Sequence, residues 1–112
     1  MDGSAVAPPR GAVLQIDPLP DNAGLGVIGE ISVNTRTIWQ QTLKQLVERH
    51  TDVLHVDLSR VSFVDVAGVT GLAVTAQRLP EGQRIVLHRP PAQVPRILEL
   101  FWPGLAAIEV AA

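Results

Sequence analysis

The chain has 112 residues, of which 46% are hydrophobic, with nine Lys and Arg against eleven Asp and Glu and no cysteine. A chain this long buries roughly two thirds of its unfolded surface around one core, so a single domain is expected. The missing cysteines exclude disulfides, thiolate zinc sites and thiol catalysis. A formal charge of −2 with dispersed cations argues against a phosphate-tracking nucleic-acid surface.

No apolar run approaches the roughly 18 residues of a membrane span. The opening Met1-Asp2-Gly3-Ser4 carries no basic flank or apolar stretch of a secretory signal. A cytoplasmic protein with protein or small-molecule partners is therefore expected. Residues 1–11 are mostly small, with a Pro8-Pro9 pair, and offer too little apolar area to offset ordering entropy. They read as a loose tail before a domain over 12–112.

Val13, Leu14 and Ile16, then Val27, Ile28 and Ile31 after the Pro18-Leu19-Pro20-Asp21-Asn22 cluster, predict two strands over 12–17 and 25–31, paired as a hairpin. The period then changes. Trp39, Leu43, Leu46 and Val47 fall on one helical face, with Asn34 or Thr35 as the capping oxygen and Thr51-Asp52 marking the end. Residues 53–58 form a β-rich run, Ser59-Arg60 reads as a turn, and residues 61–64 resume before Asp65, which stands where a helix cap is needed.

Val69, Leu72, Ala73 and Ala76 give the second helix its stripe, ended at Leu79-Pro80. Residues 84–88 form a further strand. Pro91 or Pro95 suits the first position of a third helix, whose stripe is Val94, Ile97, Leu98 and Phe101. Residues 107–110 make the last strand. The order β-β-α-β-α-β-α-β demands parallel crossovers in one mixed sheet with a hairpin at one side.

The stretch Val53-Leu54-His55-Val56-Asp57-Leu58-Ser59-Arg60-Val61-Ser62-Phe63-Val64-Asp65-Val66-Ala67-Gly68-Val69-Thr70-Gly71-Leu72 resembles the STAS domain of bacterial anti-sigma factor antagonists. That family's signature is a hydrophobic strand, Asp-Leu-Ser, and then Asp-Ser-Ser-Gly-Leu. Gly29-Glu30-Ile31 followed by Asn34-Thr35 is similar to the family's Gly-Glu-Ile/Leu-Asp stretch, and the resemblance runs from about Ala12 to Val110. It implies a single α/β domain of STAS type that acts in transcription regulation by docking onto a protein, typically an anti-sigma factor of the serine-kinase kind. It implies no reaction, cofactor, metal or nucleic acid.

Two positions depart from the pattern. Val66 stands where the family's regulated serine follows the Asp, and Ser32 stands where an acid is usual. A helix start presents unpaired N–H groups and about half a positive charge, which is why phosphate there acts as a switch. Val66 cannot take part, so the resemblance implies docking that phosphorylation at the usual place does not release. Asp65 can still cap the helix, for about 1 kcal/mol.

The expected contact corner is Asp65, Val66, Ala67, Gly68 and Thr70, with Ser32, Asn34 and Thr35 alongside, where loops at the carboxyl ends of parallel strands meet helix starts. Thr70, one turn beyond Val66, is the candidate displaced phosphosite; its alternative role is a hydrogen bond to the preceding turn. Glycines cost roughly 1 kcal/mol each inside a helix, so something approaches Gly68 and Gly71 closely. Packing against the protein's own sheet and approach by an outside partner suit Gly71 equally, and an outside partner suits Gly68 in an exposed first turn.

Other signals compete. Gly24-Leu25-Gly26-Val27-Ile28-Gly29 spells a dinucleotide motif, but it lies within a strand with no helix start behind it. His55, Asp57 and Ser59 alternate to one side of a strand, with His88 at the end of a neighbouring one, which makes a small nucleotide-binding or metal-dependent enzyme the minor alternative. No nucleophile elbow accompanies them. A self-assembling scaffold of the same fold is the intermediate reading. His50 suits a helix C-terminus, Trp39 suits the core, and if Phe101 is buried its neighbour Trp102 is exposed as a contact residue or lies across the Pro103-Gly104 turn.

Overall fold

The computed structural model describes residues 13–20, 24–49 and 51–111. The expected tail, Ala12 and His50 lie outside them. β1 (Leu14–Pro18) and β2 (Gly24–Ile31) form the antiparallel hairpin, with Leu14 opposite Gly29. A single 3-10 turn over Val33–Thr35 leads into α1 (Arg36–Val47). Then come β3 (Val53–Val64), α2 (Val66–Gln77), β4 (Arg84–His88), α3 (Gln93–Phe101) and β5 (Ile108–Ala111).

The sheet order is β1-β2-β3-β4-β5, and every pair after the hairpin is parallel. Strands that succeed one another in one direction, joined by crossovers of one hand, place their helices side by side on one face. The core lies there. Leu54, Val56 and Leu58 of β3 and Ile85 and Leu87 of β4 meet Trp39, Leu43 and Leu46 of α1, Val69, Leu72, Ala73 and Ala76 of α2, and Val94 and Leu98 of α3. The α2 stripe read from the sequence is buried throughout, that of α1 is buried apart from the half-buried Val47, and in α3 Val94 and Leu98 are buried while Ile97 is half-buried and Phe101 exposed.

β3 corrects one expectation. Ser59-Arg60 is no turn: the strand runs on for 12 residues. Its register against β2 slips between Gly26 and Ile28 and again between Gly29 and Glu30. Each slip is a β-bulge that sets an extra residue of β3 against its partner. Core-facing residues therefore change spacing from two (Leu54, Val56, Leu58) to three (Val61, Val64).

Gly29 has φ +121, and a Cβ there would run into the Val13 carbonyl. The glycine-rich string thus serves close strand packing, and the nucleotide reading fails for lack of a helix start behind it.

At the C-terminal end, the expected aromatic arrangement is reversed. Phe101 is 62% exposed, while Trp102 packs partly against the core and meets Phe101 edge-on at 6.0 Å between centroids. Trp102 is the residue after the helix, and its carbonyl accepts Leu105 N–H, so leaving helical geometry lets it turn inward. Neither proline opens α3: Pro95 is its third residue, a first-turn position where the missing N–H is equally harmless.

Candidate functional site

The carboxyl ends of β2 and β3 lie side by side, with Ile31 opposite Val64. The Asp65 N–H donates to the Ile31 carbonyl at 3.0 Å, tying the start of α2 to the end of β2. Asp65 is extended (φ −80, ψ 172), and its Oδ1 accepts the Gly68 N–H at 2.7 Å. That is the cap the sequence predicts. It places a carboxylate against the positive end of the helix and satisfies one orphan donor.

Gly68 corrects an expectation. It is buried, and a Cβ on it would stand 2.6 Å from Ile31 Cγ2 and 3.0 Å from Val64 Cγ1. Its own sheet requires the glycine, which offers no exposed face to an outside molecule. The Gly68 carbonyl accepts Trp39 Nε1–H at 3.1 Å, so α1 and the first turn of α2 are pinned together by a buried indole. For Gly71 the close neighbours are Leu43 and Trp39 of α1 rather than the sheet.

The start of α1 is built differently. Thr35 is 1% exposed, and its hydroxyl donates to the Glu30 carbonyl at 2.9 Å while accepting the Ser32 N–H at 3.0 Å. Thr35 is thus an internal brace, which removes it from the list of exposed contact residues, and its side chain makes no forward cap of α1. Asn34 is exposed. Ser32 Oγ is buried and, among the described residues, has no hydrogen-bond partner. Ser32, Arg36, Trp39, Gln40, Asp65 and Ala67 line a cleft of about 260 Å³ between the two helix starts.

Around this cleft the surface is apolar. Val66 is 54% exposed, Phe63 44% and Val33 65%, and all three lie within three residues of the paired Ile31 and Val64. Val33 and Phe63 are contact candidates that sequence reasoning missed. The available signal was a large apolar residue at a position facing away from the core, once β3 is known to be bulged. Thr70 Oγ1 donates to the Val66 carbonyl at 2.8 Å, the alternative role foreseen for it.

The second cluster lies on the opposite face of the sheet. His55 and Asp57 alternate with the core-facing Leu54, Val56 and Leu58, and Asp57 pairs in register with His88. His55 Nδ1 and His88 Nε2 are 2.7 Å apart. Asp57 turns away to accept the Ser59 N–H at 2.9 Å. The Ser59 side chain and N–H hold its carboxyl below the usual range, His88 and Arg89 add a smaller pull, and partial burial opposes them. Ser59 is an exposed strand residue, and no hydrolase triad is assembled. Among the described residues, no group of three or more His, Cys, Asp or Glu side chains is placed to hold a metal ion, and no helix is long and apolar enough to cross a membrane.

The five-stranded mixed sheet with three crossover helices is a fold found in solved structures. The chain is similar to an anti-sigma factor antagonist from Mycobacterium paratuberculosis, with a TM-score of 0.68 and 22% identity over 80% of this chain and 78% of that one. It is also similar to the anti-sigma factor antagonist SpoIIAA in its unphosphorylated form, with a TM-score of 0.61 and 16% identity over 89% of each chain. No curated protein sequence matches it. The family described as "Mlab, STAS domain" matches residues 6–102, and the chain belongs to that STAS family.

Proposed function

We propose that this domain is a non-enzymatic docking module of the anti-sigma-antagonist kind. It binds an anti-sigma factor of the serine-kinase type through the corner around the start of α2, and phosphorylation at the family's usual place does not release it. One observation carries the reading: Val66, a side chain with no hydroxyl, stands more than half exposed on a helix turn whose backbone is fixed by Asp65. Val33 and Phe63 beside it give a partner apolar area to bury, the main source of association free energy. Asn34, Ala67 and the edge of Asp65 supply the polar and small contacts around them, and Thr70 stands one turn behind.

The test is capture of serine-kinase-type anti-sigma factors from the same genome by the immobilised domain. Val66→Asp, which places charge where phosphate would sit, weakens capture by about tenfold or more, as expected when a charge is forced into an apolar contact. Unchanged capture places the interface elsewhere. Incubation with the captured kinase and ATP leaves the intact mass unaltered. A phosphate that maps to Thr70 overturns the claim of unswitched binding.

A second reading, self-assembly, is favoured by Leu100 and Phe101, 70% and 62% exposed at the end of α3. Light scattering separates them: a monomer at working concentration removes the scaffold.

A further inference from the structure

His55 Nδ1 and His88 Nε2 sit on neighbouring parallel strands, both partly buried, with ring centroids 4.9 Å apart and planes tilted by 32°. At 2.7 Å the contact holds one proton, because one nitrogen must donate and the other must offer its lone pair. Two adjacent imidazole nitrogens are also two-thirds of the protein ligand set of many zinc sites. Metal–nitrogen bonds of about 2.0–2.1 Å at a near-tetrahedral angle set the two nitrogens about 3.3 Å apart, so the rings must part by roughly half an ångström and each swing by about 35° for their lone pairs to converge on the metal.

β3 and β4 supply a rigid frame. Val53 to Asp57 pair with Arg84 to His88 without a break, so both rings hang from a regular ladder rather than from loops. Asp57, the register partner of His88, contributes negative charge beside the pair, and Arg89, the residue just after β4, opposes it.

We propose that His55 and His88 form a two-imidazole site for a divalent transition-metal ion of the imidazole-preferring class, in which the metal takes the place of the shared proton, the donating ring passes to the tautomer protonated on its other nitrogen, and water completes the coordination. Hard cations such as Mg²⁺ and Ca²⁺, which take oxygen ligands, are excluded by the donor set. The site lies on the sheet face opposite the helices and is independent of the corner around α2. An occupied site cross-links β3 to β4, so the metal stabilises the folded chain by mass action.

The experiment is titration of the full chain with Zn²⁺, followed by calorimetry and by the ring resonances of the histidines, with Mg²⁺ as the control. Saturable one-to-one binding at micromolar Zn²⁺ is expected, with shifts at His55 and His88 and a melting temperature that climbs with the logarithm of Zn²⁺ concentration. Even the outer-shell partners of metal ligands are worth about ten- to hundredfold in affinity, so His55→Gln and His88→Gln each weaken binding by at least that much. His50→Gln leaves it unchanged. Melting of each variant without metal shows whether it folds, and a misfolded single variant is replaced by His55→Asn or His88→Asn. Absence of Zn²⁺ binding, or binding that survives loss of either ring in a folded variant, overturns the proposal.

Discussion

The two helix starts that frame the cleft solve the same problem in opposite ways. α2 begins with one orphan N–H, that of Gly68, served by a carboxylate, its third residue wedged against Ile31 and Val64, and a carbonyl held by Trp39. α1 begins through a 3-10 turn whose brace, Thr35, reaches backward to Glu30 and Ser32, while Ser32 Oγ stays buried without a partner. One start is fully committed to the protein's own backbone. The other keeps a polar atom in reserve beside an open cleft. A docking corner built from both has a rigid wall and an adaptable one.

Substitutions break that contrast in order of size. Gly68→Val forces a branched side chain onto Ile31 Cγ2, a rigid methyl already 2.6 Å from where a Cβ would stand. Overpacking of this kind costs about 3 kcal/mol or more, read as a lower denaturant midpoint or loss of cooperative unfolding. Asp65→Ala removes the cap and lowers stability by about 1 kcal/mol in the same measurement. Ser32→Ala acts in the opposite direction, because deleting an unpartnered buried hydroxyl removes a desolvation cost; a gain of up to about 1 kcal/mol is expected. A Ser32→Ala loss as large as that of Asp65→Ala would mean the two starts are equally committed.

Most of the fold is legible in the residues because its signals are local and agree with one another. The apolar periods of α1 and α2, Asp65 before an apolar run and the Pro103-Gly104 stop each determine an element without help from distant contacts. What was illegible depended on neighbours. Thr35 and Gly68 look like surface residues at helix starts, and only the position of β2 shows that one braces Glu30 and the other makes room for Ile31. Phe101 fits the α3 stripe by spacing, yet the helix ends at that residue, so the following Trp102 escapes the helical period and takes the inward place. In the candidate site, the cap and Val66 were readable from sequence order alone, whereas Phe63 emerged only once the register of β3 was known and Val33 only once its 3-10 turn was.

That register has a consequence for how the stretch can change in length. Each bulge in β3 shifts the in-out alternation by one residue, so Val61, beyond the first, and Val64, beyond the second, still face inward as Leu54, Val56 and Leu58 do. Deleting one residue at a bulge would restore the plain alternation of a regular strand and leave Val64 inward, whereas deleting one from the regular run between Leu54 and Leu58 would turn part of the core set to solvent. The bulges are therefore the places where this strand can lose a residue without losing its face.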